Sequence, residues 1–316
     1  LVVFDGYSTE DFIHIETWKT LRSIVGHPIL IFVADCKVCN GPNLRHIAGN
    51  GGTFVTVMPA NRTEYTRFEE WIQTHEPPWQ ELIRRPDPRR NDGPEQVFLG
   101  YEDPLGSGDG FRILWIHSSD KARLDRESRE AKIWKADRAL DALRERLGKR
   151  GANTEEKIRK SVDEILKVGG VARWLTVELE VIDKPTYKQK GPGRPGRDTE
   201  YRKETKHEFQ LTWKARFETV QWDSRMDGIF PLMTNTKNPS LKEILDIYKF
   251  QPYLEKRNEQ MKSVLKVVPM WLKSPERIAS FLTLVFLSLL VSSLIEREIR
   301  NAMRENALRS LPIYPE

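Results

Sequence analysis

Cysteine is almost absent from this chain of 316 residues, with Cys36 and Cys39 the only two. No disulfide framework beyond one bridge is therefore possible, and the usage suits a reducing cytoplasm. A closed zinc site would need two further ligands; there is no second cysteine pair, and His46 stands near but alone. No secretory signal and no internal repeat can be recognised. Neither sign of charge dominates: 51 Lys and Arg face 46 Asp and Glu, a net +5. So mild an excess fits a soluble protein with anionic partners but does not by itself demand one. Long apolar runs are also scarce. Ile278 to Ile295 is 18 residues without a charge, which reaches the length of a membrane span. Ser280, Thr283, Ser288, Ser292 and Ser293 dilute it, and the charged Glu296-Arg-Glu-Ile-Arg300 follows directly. In a chain of mean hydropathy −0.57, the run reads as a helix buried in a large core, with no membrane partner.

What the chain does have is an α/β rhythm at its start. Phe12, Ile15, Trp18, Leu21 and Ile24 are spaced for one face of a helix over about 10–24, broken at His27-Pro28. Ile29 to Ala34 is an unbroken apolar run of strand length, the pattern of a parallel strand covered on both faces. A short helix over 43–48 and a strand over 53–58 follow. Strand, helix and strand in alternation predict an α/β sheet.

After Pro59 the pattern changes. Glu76-Pro-Pro-Trp79 and Arg85 to Pro94 carry too much proline for regular structure and read as loops. Phe111 to Ile116 reads as a strand, 120–147 as a long charged helix, and 154–167 as a second helix ending at Gly169-Gly170. Trp174 to Ile182 and Glu208 to Phe217 alternate as half-buried antiparallel strands. The segment between them is basic. From Lys188 to Arg216 nine Lys and Arg face four Asp and Glu, a local excess of the kind that binds phosphate backbones. The plain alternative is a solvated hairpin with scattered lysines.

Three stretches carry chemistry. Asp35 ends the apolar strand, where open α/β sheets place ligands. Asp227-Gly-Ile-Phe-Pro-Leu-Met-Thr-Asn235 reads as a turn and strand. Tyr248, Glu255 and Lys262 lie seven residues apart, which returns to nearly the same face of a helix after two turns; Pro252 suits the first turn of such a helix. Glu259, one turn on, rivals Glu255. The pair Cys36 and Cys39 follows a strand and precedes a helix, a place suited to a redox dithiol; small apolar packing beside the strand is the favoured reading.

Taken in order, these stretches resemble the bacterial insertion-sequence transposases of the DDE type, in the insertion-sequence-four-like superfamily. Tyr248, Glu255 and Lys262 fit the signature Y-x2-R-x3-E-x6-K, with Gln251 where the pattern has arginine. Asp227 to Asn235 resembles the "DG…TN" stretch before it, and Ile29 to Asp35 the strand that ends in the second catalytic aspartate. The resemblance implies an α/β, RNase H-like catalytic core interrupted by a large mixed α+β insertion. The core would hold residues 1–59 and 221–305, the insertion 60–220, and a truncated tail 306–316. It implies two Mg²⁺ or Mn²⁺ ions held by Asp35 and Glu255, as catalytic and metal-binding residues. Asp5 and Asp11 do not look like the first carboxylate, so the chain reads as a fragment beginning after it. Double-stranded DNA is the implied partner, with contacts from Lys262, Arg257, Tyr248 and Gln251. Gly191-Pro-Gly-Arg-Pro-Gly-Arg197 resembles part of an AT-hook without its flanking arginine, so Arg194 and Arg197 are expected to touch phosphates from a flexible tip. A homodimer on paired DNA ends, in a bacterial cytoplasm and associated with the nucleoid, completes what the resemblance implies.

Overall fold

The computed structural model describes the chain apart from residues 1–12, 27–29, 87–92, 150, 191–195, 197–199, 251–258, 261, 264, 266, 268–270 and 309–316. The described residues form a mixed α/β protein of two compact units. Unit one comprises Leu1–Pro59, Gly106–Arg112 and Met233–Glu316; unit two comprises Ala60–Leu105 and Ile113–Leu232.

In unit one, α1 (Ile13–Val25) precedes β1 (Ile31–Ala34), α2 (Gly41–Gly49) and β2 (Thr53–Val57). β1 and β2 are parallel, with Ile31 opposite Thr53 and Ala34 opposite Thr56. β1 places Phe32 and β2 places Phe54 and Val55 in the core, joined by Leu44 and Ile47 of α2. Gly52 lets the chain enter β2 beneath α1: a Cβ there would stand 2.6 Å from the Trp18 ring and 2.8 Å from Ile47. The strand order continues β1-β2-β8, taking the end of β8 (Ile229–Thr234). Beyond it, α7 (Leu241–Tyr248) begins with a capping box between Ser240 and Glu243. Ile244 and Leu245 are fully buried, and α7 packs on β2.

The last element, α8 (Pro275–Glu305), contains the uncharged run. The expectation that this helix is buried fails: Val285 is its only buried residue, while Leu284, Phe286, Leu287, Val291, Leu294 and Ile295 are exposed. Four of its hydroxyls are satisfied within the helix, with Ser280, Thr283, Ser288 and Ser292 each donating to the carbonyl four residues back.

Unit two opens with α3 (Thr63–Trp71) and an antiparallel meander of β3 (Gln80–Arg85), β4 (Gln96–Glu102) and β5 (Arg112–Ser118). Its strand order is β8-β5-β4-β3, from the beginning of β8. Stretches read as loops thus border a strand pair; the bulge between Glu81 and Ile83 and the charged QELIRR sequence hid the alternation of β3. Phe68 stacks on the buried Trp115 at 3.7 Å. α4 (Ser119–Arg144) and α5 (Glu155–Gly169) follow, then the hairpin of β6 (Leu175–Gln189) and β7 (Tyr201–Ala215), and α6 (Phe217–Ser224). Leu140, Ile158, Val162, Leu175 and Leu211 form the core between the helix pair and the hairpin base.

Candidate functional site

Asp35 lies where β1 gives way to α2, and three interactions hold that turn. Thr56 of β2 donates its hydroxyl to the Asp35 carbonyl at 2.7 Å. The Lys37 N–H donates to Asp35 Oδ1 at 3.1 Å. Asn40 then caps α2 by accepting from the Asn43 N–H at 2.8 Å. The Asp35 side chain is exposed, and among the described residues its Oδ2 has no hydrogen-bond partner. It is a hard oxygen donor at the carboxyl end of a parallel strand, suited to a divalent cation. Among the described residues no three His, Cys, Asp or Glu side chains converge.

Of the other predicted residues, Tyr248 closes α7 and is half-buried. Lys262 is helical and exposed, as is Glu259. Asp35, Tyr248 and Lys262 all belong to unit one, although more than two hundred residues separate the first from the others. Glu255, Arg257, Gln251, Arg194 and Arg197, with Asp5 and Asp11, lie outside the described residues. Cys36 is exposed and Cys39 buried, with its sulfur 4.0 Å from the Met233 sulfur. His46 packs edge-on against Trp18 at 6.0 Å.

The "DG…TN" stretch proves to be structural at both ends. In unit two, Asp227 takes two bonds from the buried Arg129, at 2.8 and 2.5 Å, and this carboxylate raises the guanidinium pKa. Gly228 has φ +79°, and a Cβ on it would stand 2.7 Å from the Ser118 carbonyl oxygen; its N–H donates to Asp125 at 2.9 Å. In unit one, Thr234 donates to the Phe54 carbonyl at 2.6 Å. Asn235 accepts from the Phe54 N–H at 3.0 Å and donates to the Gly52 carbonyl at 2.8 Å. Its side-chain amide thus pairs with β2 as a peptide group would.

Sequence reasoning did not foresee a cavity of about 480 Å³ in unit two, lined by Trp79, His117, Arg126, Arg129, Arg225 and Asp227 among others. Burial lowers the His117 pKa, disfavouring the charged ring. Arg225 is engaged with the Ile72 carbonyl at 2.6 Å and with Glu76 at 3.0 Å. Trp79 sat in a proline-rich stretch, which masked its part in this wall.

Comparison with protein families, with curated proteins and with solved structures gives no match for this chain.

Proposed function

We propose that this chain carries the catalytic core of a DDE-type transposase of a bacterial insertion sequence, which cuts and joins DNA by phosphoryl transfer. In this reading β1, α2 and β2 belong to an RNase H-like core, and residues 60–220 are its insertion. One observation carries the proposal. Asp35 and the described members of the C-terminal pattern, Tyr248 and Lys262, share one compact unit, and the helix bearing Tyr248 packs on β2, the parallel neighbour of the strand that ends at Asp35.

The chain's own residues then divide the work. Asp35 and Glu255 would hold two divalent ions, which when bound supply activation of the attacking oxygen and stabilisation of the leaving one. Lys262 and Arg257 neutralise phosphate charge and position the duplex without reading its sequence. Tyr248 and Gln251 would contact the backbone beside them, with Arg194 and Arg197 reaching it from the hairpin. The assembly on paired ends would be a homodimer in the cytoplasm.

A second reading, a DNA-binding protein without chemistry, is favoured by the bond from the Lys37 N–H to Asp35. It gives the carboxylate a turn-forming role that needs no metal. Strand cleavage separates the two. The complete protein, given Mg²⁺ or Mn²⁺ and DNA carrying the ends of its own element, should nick that DNA. Asp35→Asn and Glu255→Gln should each abolish nicking and spare binding. Cleavage retained by either variant rejects the assignment, and binding without cleavage by the unaltered complete protein favours the second reading.

A further inference from the structure

The β6–β7 hairpin outruns the core that it covers. Over its first half, Leu175, Val177, Leu179, Phe209, Leu211 and Trp213 share the odd-numbered face and pack on the α4–α5 pair. Past the Val181–Phe209 pair the two strands continue for several residues with both faces largely exposed. Cross-strand register sorts the side chains of this outer half. On the odd face, Asp183 pairs with His207 at 2.6 Å, and Tyr187 stands opposite Lys203. On the even face, Lys184 stands directly opposite Lys206, and Lys188 directly opposite Arg202.

Facing residues in a ladder have Cβ atoms about 4.5–5.5 Å apart, and like charges there destabilise the pair. Two carboxylates offset part of the repulsion. Glu208 pairs with Lys184 at 2.6 Å and Glu204 with Arg202; hydrogen bonds from those cations hold both acids below the usual carboxylate range. Lys188 and Lys206 have no ion pair of their own among the described residues. The even face of the outer hairpin therefore holds four cations against two acids, arranged at a cost to the hairpin itself.

We propose that this face grips the phosphates of double-stranded DNA through Lys184, Lys188, Arg202 and Lys206, an inference that rests on the DNA-acting role above. The two cation pairs are four residues apart, about 13–14 Å at the usual strand rise. That is close to the roughly 12 Å width of the B-DNA major groove, which admits a two-stranded ribbon, so the pairs reach phosphates on opposite walls. Anionic phosphates between facing cations also relieve the repulsion built into the strands.

The test is the salt dependence of duplex DNA binding by the full chain. Replacing all four cations by Gln should reduce the slope of log affinity against log salt by about 3–4. Lys203→Gln, on the other face, should leave it unchanged. Lys188→Gln and Lys206→Gln break no ion pair, and each alone should reduce the slope by about 0.9; they decide the matter should the quadruple variant fold poorly. Wild-type binding with all these slopes unaltered overturns the hairpin assignment and leaves the DNA-acting role standing. Failure of the wild-type chain to bind duplex DNA, including binding to phosphatidylserine vesicles instead, overturns both.

Discussion

Asp227 and Asp35 show two ways in which a single carboxylate matters. Asp227 is held in a fork by Arg129, whose residue exposure is only 8%. Removing one partner of such a pair leaves a charge in a poor solvent, which costs about 3–5 kcal/mol. Asp227→Ala should therefore lower the denaturant midpoint substantially, while Arg129→Met with Asp227→Leu should recover most of the loss. A double variant as unstable as the single one would show that the pair does more than neutralise charge. Asp35 is the opposite case: exposed, with one light bond to a backbone N–H. Asn makes the same turn, so Asp35→Asn removes the charge that the proposed metal role requires without disturbing the fold. That property makes it the cleaner probe of chemistry.

At the scale of elements, the hairpin is the part most dependent on its neighbours. Leu211 is buried with Leu175 against Leu140 and Ile158, and Leu211→Ala should cost about 2–5 kcal/mol, read as a lower midpoint of thermal unfolding. An effect below about 1 kcal/mol would mean that the hairpin base is loosely seated. Elements with a strong period were legible from sequence. The apolar run became β1, the helix read over 154–167 is α5 with Thr154 as its cap, and the alternating strands paired, although they run seven residues longer on β6 and on β7 than on a hydrophobic criterion. Those extensions are polar and largely exposed, held by the ladder and by side-chain pairs such as Asp183 with His207, so hydrophobic alternation could not mark them. β3 was hidden by charge and a bulge, and α3 by its short length between proline-rich stretches. Asp35 was legible because an apolar strand points to it. The bond from Asn235 to β2 was not, since a side chain standing in for a strand leaves no periodic trace.

For the molecule as a whole, the proposed function requires that two acids 220 positions apart in the sequence serve the same cations. Asp35 stands on the turn after β1, and the described residues flanking Glu255 in the sequence pattern, Tyr248 and Lys262, belong to the same unit. The chain leaves that unit after Pro59 and returns to it at Met233, apart from the short Gly106–Arg112 segment. In that segment Arg112 donates to the Thr236 and Pro239 carbonyls, each at 3.0 Å, which ties the approach to α7 in place. Iron-directed cleavage of the polypeptide tests the claim directly. Fe²⁺ bound in place of Mg²⁺, with ascorbate and peroxide, cuts the backbone beside its ligands. If Asp35 and Glu255 share the ions, cuts fall near residue 35 and near residue 255 together, both suppressed by excess Mg²⁺ and both lost in Asp35→Asn. Cuts near only one of the two positions, or a pattern that Asp35→Asn leaves unchanged, would contradict it.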